Sequence, residues 1–229
     1  MKNLVLSSGG IDSTTCLGIA VHEHGADSVA TLSIYYGQRH EKELKAARDV
    51  AAHYGVAHYE LDLSAIFMHS SCPLLSRSDQ AIPLQSYAEQ IAESGTGKVE
   101  TYVPFRNGLF LSSAASLAMS LFPDDEIKIY IGAHADDAAG EAYADCSPQF
   151  IAAINQAVKE GTYQQCQITA PFADMNKAQV VKTGLDLNVP YQLTWSCYAG
   201  EDKPCGKCAT CIDRERAFAM NGVKDPAMG

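Results

Sequence analysis

Two clusters in this 229-residue chain have the residue types and spacing to do chemistry. The first is Ser7-Ser8-Gly9-Gly10-Ile11-Asp12-Ser13-Thr14-Thr15. Paired glycines let the backbone approach an anion closely, the amides that follow point at it, and the hydroxyls of Ser8, Ser13 and Thr14 can donate to phosphate oxygens. Asp12 is a poor neighbour for bare phosphate, which suits it to hold a Mg²⁺ ion that bridges to one. No Gly-Lys-Ser/Thr follows, so this is not a Walker loop. The plain alternative is a tight turn capped by Asp12 or Ser13. The second cluster is Cys197, Cys205, Cys208 and Cys211, a double C-x₂-C with Cys197 upstream across Gly200 and Pro204. Four thiolates at this spacing can close a tetrahedral zinc shell, and a full Cys₄ shell leaves no open position, which makes the metal structural. Lys203, Lys207 and the turn amides would offset the sulfur charge. An iron–sulfur cluster and unligated thiols are the competing readings.

These clusters need elements to position them. A hydrophobic content of 47% in 229 residues can bury one substantial core. Residues 3–7 read as a buried strand, followed by the glycine turn and a helix over Thr14–His24. SVATLSIYY at 28–36 reads as a strand, EKELKAARDVAAHYG at 41–55 as a helix closed by glycine, and VAHYELDL at 56–63 as a strand. Such βαβ order predicts an open parallel sheet with helices on both faces. The glycine turn then falls where the first strand hands over to a helix, the place at which such sheets bind ligands. Over residues 64–100 the periodicity fades and Pro, Ser and Gly become frequent, as in an insertion covering a site. Helices are predicted at 106–122, 148–161 and 176–188, and a central strand at 127–133. The expected organisation is an α/β nucleotide-binding domain over 1–190, with the insertion at about 64–100. A small zinc-binding element and terminal helix follow over 191–229.

Composition excludes several classes. Seventeen basic against twenty-seven acidic residues give a net charge of −10, with the basic residues dispersed. Binding to nucleic acid is therefore not expected, because phosphate neutralisation dominates that affinity. A small-molecule substrate is expected instead. The opening MKNLVLSSGG has too short an apolar run for a signal-peptide core or a membrane span, and four cysteines crowded into one stretch do not suit a secreted disulfide scaffold. A cytoplasmic location without membrane attachment is expected.

The pattern SGG-x-DS resembles the PP-loop of the ATP pyrophosphatase family, which cleaves ATP between its α and β phosphates. Further segments follow in order: YGQRHEKE at 36–43, VPFRNGLFLSSAASLA at 103–118, YADC at 143–146, NKAQVV at 176–181, and TWSCYAG with CGKCATC over 194–211. From about Val5 to Phe218 this set closely resembles the 7-cyano-7-deazaguanine synthase family of queuosine biosynthesis. The resemblance implies an adenine nucleotide alpha hydrolase-like, Rossmann-like fold and an ATP-dependent carbon–nitrogen ligase that works as a homodimer. It implies 7-carboxy-7-deazaguanine and ammonia as substrates, ATP, Mg²⁺ and Zn²⁺ as cofactors, and a nitrile product formed through an adenylated carboxylate and an amide. A PP-loop enzyme acting on another deazaguanine, a protein terminus or a tRNA base is the alternative, and a nucleotide-sensing zinc module without turnover a third reading.

Within that picture Arg106 and Lys177, with Asp12 acting through the Mg²⁺ it would hold, are the candidates to neutralise charge gathering on phosphate. Arg106 and Lys177 lie at helix starts, where a solvated charge is the alternative. Arg39 and His40 follow the second strand at its ligand end, and His40 could equally cap a helix. Asp136, Asp137 and Asp145 occupy the loop after the 127–133 strand, where a carboxylate could accept from a guanine-like base, or simply be solvated. Cys146 reads as a packed thiol. The chain departs from the commonest family pattern at Ser7, Ala144 and Ser147, and in the length of the loop ending at Asp145.

Overall fold

The computed structural model describes residues 1–94, 99–138 and 142–227. Strands Lys2–Leu6 (β1), Val29–Tyr35 (β2), Ala57–Asp62 (β3), Ile127–Tyr130 (β4) and Cys166–Thr169 (β5) form one sheet in the order β3-β2-β1-β4-β5, parallel throughout. Almost every residue of β1 and β2 is buried, because helices cover both faces of a parallel sheet and leave no solvent side. On one face Leu4, Leu32, Ile127 and Ile129 pack on Leu111, Ala114 and Ala118 of helix Arg106–Leu121 (α4) and on Ile151 and Val158 of helix Pro148–Gly161 (α6). On the other, Val5, Val29 and Tyr130 pack on Ile11, Leu17 and Ala20 of helix Ile11–His24 (α1), Val50 of helix Lys42–Tyr54 (α2), Val180 and Val181 of helix Lys177–Asp186 (α7), and Phe218 of helix Ala209–Met220 (α8). The chain runs outward through β2 and β3 on one side of β1 and through β4 and β5 on the other, so a crevice opens at the carboxyl end of β1.

The expected fold class holds, with three local differences. Helix α1 begins at Ile11 rather than Thr14. Strand β5 has no counterpart in the sequence reading: it has four residues, of which only Cys166 and Ile168 are buried, too short a pattern to register. The 64–100 segment contains helix Tyr87–Ser94 (α3) and a small core of its own around Phe67, Cys72, Leu74 and Leu75. Residues 95–98 of that segment, and 139–141 of the loop ending at Asp145, lie outside the described residues. Among the described residues no helix is long and apolar enough to cross a membrane. Two short helices, Ala135–Ala138 (α5) and α7, complete the rim of the crevice. The start of α7 is fixed by reciprocal capping, in which the Asn176 side chain accepts from the Gln179 amide and the Gln179 side chain accepts from the Asn176 amide.

Candidate active site

The turn after β1 is held from behind. Ser7 continues the sheet by donating its amide to Leu32, and its carbonyl accepts from the Ser33 hydroxyl. Gly9 sits at φ 74°, and a Cβ there would lie 2.3 Å from the Glu43 carbonyl oxygen, so only glycine lets α2 press against the loop. Gly10 is the N-cap of α1 and provides no side-chain cap. Asp12 and Ser13 do not cap the helix either. Ser13 Oγ accepts from the Ser8 amide at 3.2 Å and donates to the Gly10 carbonyl, while Asp12 turns to Lys177. The first-turn amides and the dipole of a 14-residue helix thus face the crevice, an arrangement that attracts an anion.

Beside the loop lies a cluster of charges. Lys177 Nζ donates to Asp12 Oδ2 at 2.5 Å and lies 3.4 Å from His134 Nε2. His134 is 3.8 Å from Asp12 Oδ1 and 3.4 Å from Asp137 Oδ2. Burial alone would push the Asp12 carboxyl up, but Lys177 and His134 outweigh it and hold it below the usual carboxylate range. For Asp137 burial wins over the same two neighbours, and its carboxyl is raised. Asp12 Oδ1 is buried without a hydrogen-bond partner. An ionised carboxylate with one oxygen committed to lysine and the other free is a fit donor for a Mg²⁺ ion.

Arg106 opens α4 on the far side of the crevice, its guanidinium 5.5 Å from the centre of the Tyr36 ring. Burial would lower its pKa, but Tyr36, Tyr198, Tyr143 and Asp145 reverse this and keep it cationic. Asp145 is buried and accepts from the Asn107 amide at 2.9 Å, which anchors the first turn of α4. Asn107 Nδ2 in turn donates to Cys146 Sγ at 3.1 Å. Burial drives the Cys146 thiol pKa strongly upward, which disfavours the thiolate that a nucleophile needs.

The four clustered cysteine sulfurs lie within 4.8 Å of one another. A tetrahedral ion with Zn–S bonds of about 2.3 Å sets its ligands about 3.8 Å apart, so one ion fits, whereas an iron at every sulfur would need wider spacing. The amides of Cys205, Lys207 and Cys208 point at sulfur, at 3.2, 3.4 and 3.4 Å, and stabilise thiolate charge as second-layer donors do. The knuckle is tied to the glycine loop by the Trp195 amide, which donates to Gly9 at 2.9 Å. It is tied to α8 by Arg214, which donates to Asp225, Thr194, Ser196 and Tyr191.

The glycine loop, the charge cluster and Arg106 border one open cavity of about 250 Å³. Of the sequence-selected residues, Ser7, Ser8, Gly10, Ile11, Asp12, Ser13, Arg106, Asp137 and Lys177 line it. The others do not, each for a visible reason. Gly9 backs onto α2, and Thr15 donates to the Ile11 carbonyl and meets Tyr191. Thr14 is fully buried. Asp136 accepts from the Lys177 amide, and Asp145 is spent on Asn107. Arg39 donates to the carbonyls of Ser78 and Gln80 in the insertion, and His40 packs against Gly200 and Trp195 of the knuckle.

A family model described as Queuosine biosynthesis protein QueC matches residues 2–222. The chain belongs to this family. Among its QueC-family relatives, the 7-cyano-7-deazaguanine synthase of Archaeoglobus fulgidus is 39% identical over 229 residues, covering 100% of this chain and 90% of the relative. That of Marinomonas sp. is 40% identical over 225 residues, with 98% and 96% covered. Among solved structures, the NMN synthetase from Francisella tularensis shares the fold with a TM-score of 0.51 at 13% identity, over 97% of this chain and 78% of that one.

This QueC-family cavity also contains residues that were not singled out as site residues, chiefly Glu43, Gln38, Tyr87, His134, Tyr143, Tyr198 and Asp213. Glu43 stands within the quoted YGQRHEKE segment, but nothing in a helical charge pattern marks it as turned inward. Burial raises its carboxyl to about 7, against the opposing pull of Arg106. Ionising Glu43 therefore costs stability, which is highest below pH 4.5 and is lost as pH rises through about 7. Glu43→Gln, which does not titrate, should gain on the parent protein across that window by up to about 3 kcal/mol. Denaturant unfolding at pH 5 and pH 8 checks this, and a stability difference that stays flat with pH would contradict it.

Proposed function

We propose that the protein is a 7-cyano-7-deazaguanine synthase that converts 7-carboxy-7-deazaguanine and ammonia to the nitrile, cleaving ATP to AMP and pyrophosphate. The observation that carries this reading is the meeting of an uncapped PP-loop, the Asp12–Lys177 pair and Arg106 around one cavity, in a chain related over its full length to enzymes of that name.

In this reading residues 1–190 hold the nucleotide, and residues 191–229, braced by zinc on Cys197, Cys205, Cys208 and Cys211, close one wall. Amides at the start of α1, with the Ser8 and Ser13 hydroxyls, hold the β and γ phosphates. Lys177 supplies positive charge beside them, and Asp12 holds Mg²⁺, which when bound neutralises the leaving pyrophosphate. Arg106 faces the reacting centre from the opposite wall and steadies charge on the α phosphate or the carboxylate. The carboxylate attacks the α phosphorus, ammonia displaces AMP to give the amide, and the amide oxygen is adenylated in turn. Loss of that second AMP, carrying the oxygen, together with a proton leaves the nitrile. Held in one cavity, both activations reuse the same donors. Free ammonia as nitrogen donor, a homodimeric assembly and a cytoplasmic location are part of this reading on the family resemblance.

Purified protein incubated with Mg-ATP, ammonium and 7-carboxy-7-deazaguanine should yield nitrile with two AMP per nitrile by mass spectrometry. AMP without nitrile, or no turnover, would overturn the assignment.

A further inference from the structure

The walls of the cavity are of two kinds. Beside the PP-loop the floor is the sheet itself, with Leu6, Leu32, Ile34 and Ile131 giving an apolar bed. Other walls are formed by parts added to the sheet: Tyr87 from the insertion, Tyr198 from the cysteine knuckle, Arg106 at the start of α4, and Tyr36, Gln38 and Glu43 after β2. Here the aromatic side chains are fixed in place. Tyr87 and Tyr198 share a hydrogen bond of 2.8 Å between their hydroxyls, and Arg106 lies over Tyr36. A slot lined by ordered rings suits a flat heterocycle.

The polar groups in this slot select an edge. Gln38 is only 7% exposed, and its Oε1 accepts from the Tyr36 amide at 2.8 Å, which leaves the Nε2 hydrogens without a partner among the described residues. The Glu43 carboxylate likewise makes no hydrogen bond among the described residues, and its opposing charge is Arg106. With Glu43 ionised, the slot offers a pair of acceptor oxygens and an amide donor. A 2-amino-4-oxopyrimidine edge presents the complement, an amino and a ring N–H as donors beside a carbonyl acceptor. An adenine edge sets a ring acceptor beside its amino group, so a carboxylate would face an acceptor and leave it unpaired. The same groups that accept the guanine-like edge therefore turn the adenine of ATP toward the apolar bed.

We propose that Glu43 and Gln38 read the aminopyrimidinone edge of the acceptor heterocycle, held between Tyr36, Tyr87 and Tyr198. The proposal rests on the acceptor being a deazaguanine, as in the function proposed above. It moves substrate recognition from the loop carboxylates to the segment after β2.

Calorimetric titration of the full-length protein tests it, using 7-carboxy-7-deazaguanine and its analogue lacking the 2-amino group. A site built to pair an N–H group rejects the ligand that lacks it, so the parent protein should prefer the amino compound by at least about 100-fold. Glu43→Gln should weaken that compound by at least about 30-fold and shrink the preference to under about 5-fold. Binding of a non-hydrolysable ATP analogue should change by no more than about 2-fold, which controls for folding. Gln38→Leu should weaken both heterocycles. Retention of the preference in Glu43→Gln, or failure of the parent protein to bind the heterocycle, overturns the inference. Titration and turnover fail separately: selective binding without nitrile formation would overturn the reaction while the edge reading stands, and nitrile formation with an unchanged preference would do the reverse.

Discussion

Replacing Asp12 with Asn should lower kcat by about a thousandfold or more, equivalent to about 4 kcal/mol of transition-state stabilisation, while the melting temperature moves by only about 3 °C. The side chain keeps its size, and the amide can still meet Lys177, so the helix start should survive. What disappears is the negative charge. In the parent protein Lys177 and His134 keep this carboxylate ionised despite burial, and its second oxygen has no hydrogen-bond partner. Both features suit a group that holds Mg²⁺ against the leaving pyrophosphate, and neither is needed for a helix cap, a role that the structure leaves to Gly10. Steady-state kinetics with product analysis by mass spectrometry checks this, alongside a thermal melt. Turnover within a few-fold of the parent protein would remove Asp12 from the reaction.

The second large effect concerns the knuckle. Cys208→Ser should release the zinc and lower the melting temperature by at least about 15 °C, or leave the protein insoluble, because structural zinc binding of about 10–16 kcal/mol in small fingers is itself folding free energy. That is comparable with the whole stability of a domain, about 5–15 kcal/mol. Cys208 is fully buried, is the N-cap of α8 and sits within the sulfur cluster. The damage should reach the reaction, since Trp195, Ser196, Tyr198, Thr210 and Asp213 enter the cavity from this element. Metal content by plasma mass spectrometry, with the melt, decides the matter. About one zinc per chain is expected in the parent protein. A stable, zinc-free Cys208→Ser protein would contradict the structural role.

The fold was legible because its signals are local and strong. Apolar runs in β1, β2 and β4, a glycine-closed α2 and a proline-started α6 each carry their own periodicity, and their alternation dictates the parallel sheet. The glycine loop and the cysteines were legible for a related reason: spacing alone brings their groups together. What the sequence does not encode is long-range. Arg39 and His40 do sit at a strand's ligand end, but the insertion and the knuckle fold over that end and claim them. Asp145 reaches the site only by fixing Asn107, 38 residues away in sequence. Glu43 faces inward because Gly9 lets α2 close on the loop, a packing event that no pattern within α2 encodes. Tyr87 comes from a segment whose weak periodicity hid a helix.

The central claim is that both oxygens of the substrate carboxylate leave on AMP. Turnover of 7-carboxy-7-deazaguanine carrying ¹⁸O at both carboxylate positions tests it directly, with phosphorus-containing products analysed by mass spectrometry. The account predicts two AMP molecules per nitrile, each carrying one ¹⁸O, and unlabelled pyrophosphate. Unlabelled AMP, or label in inorganic phosphate with ADP as the nucleotide product, would contradict it.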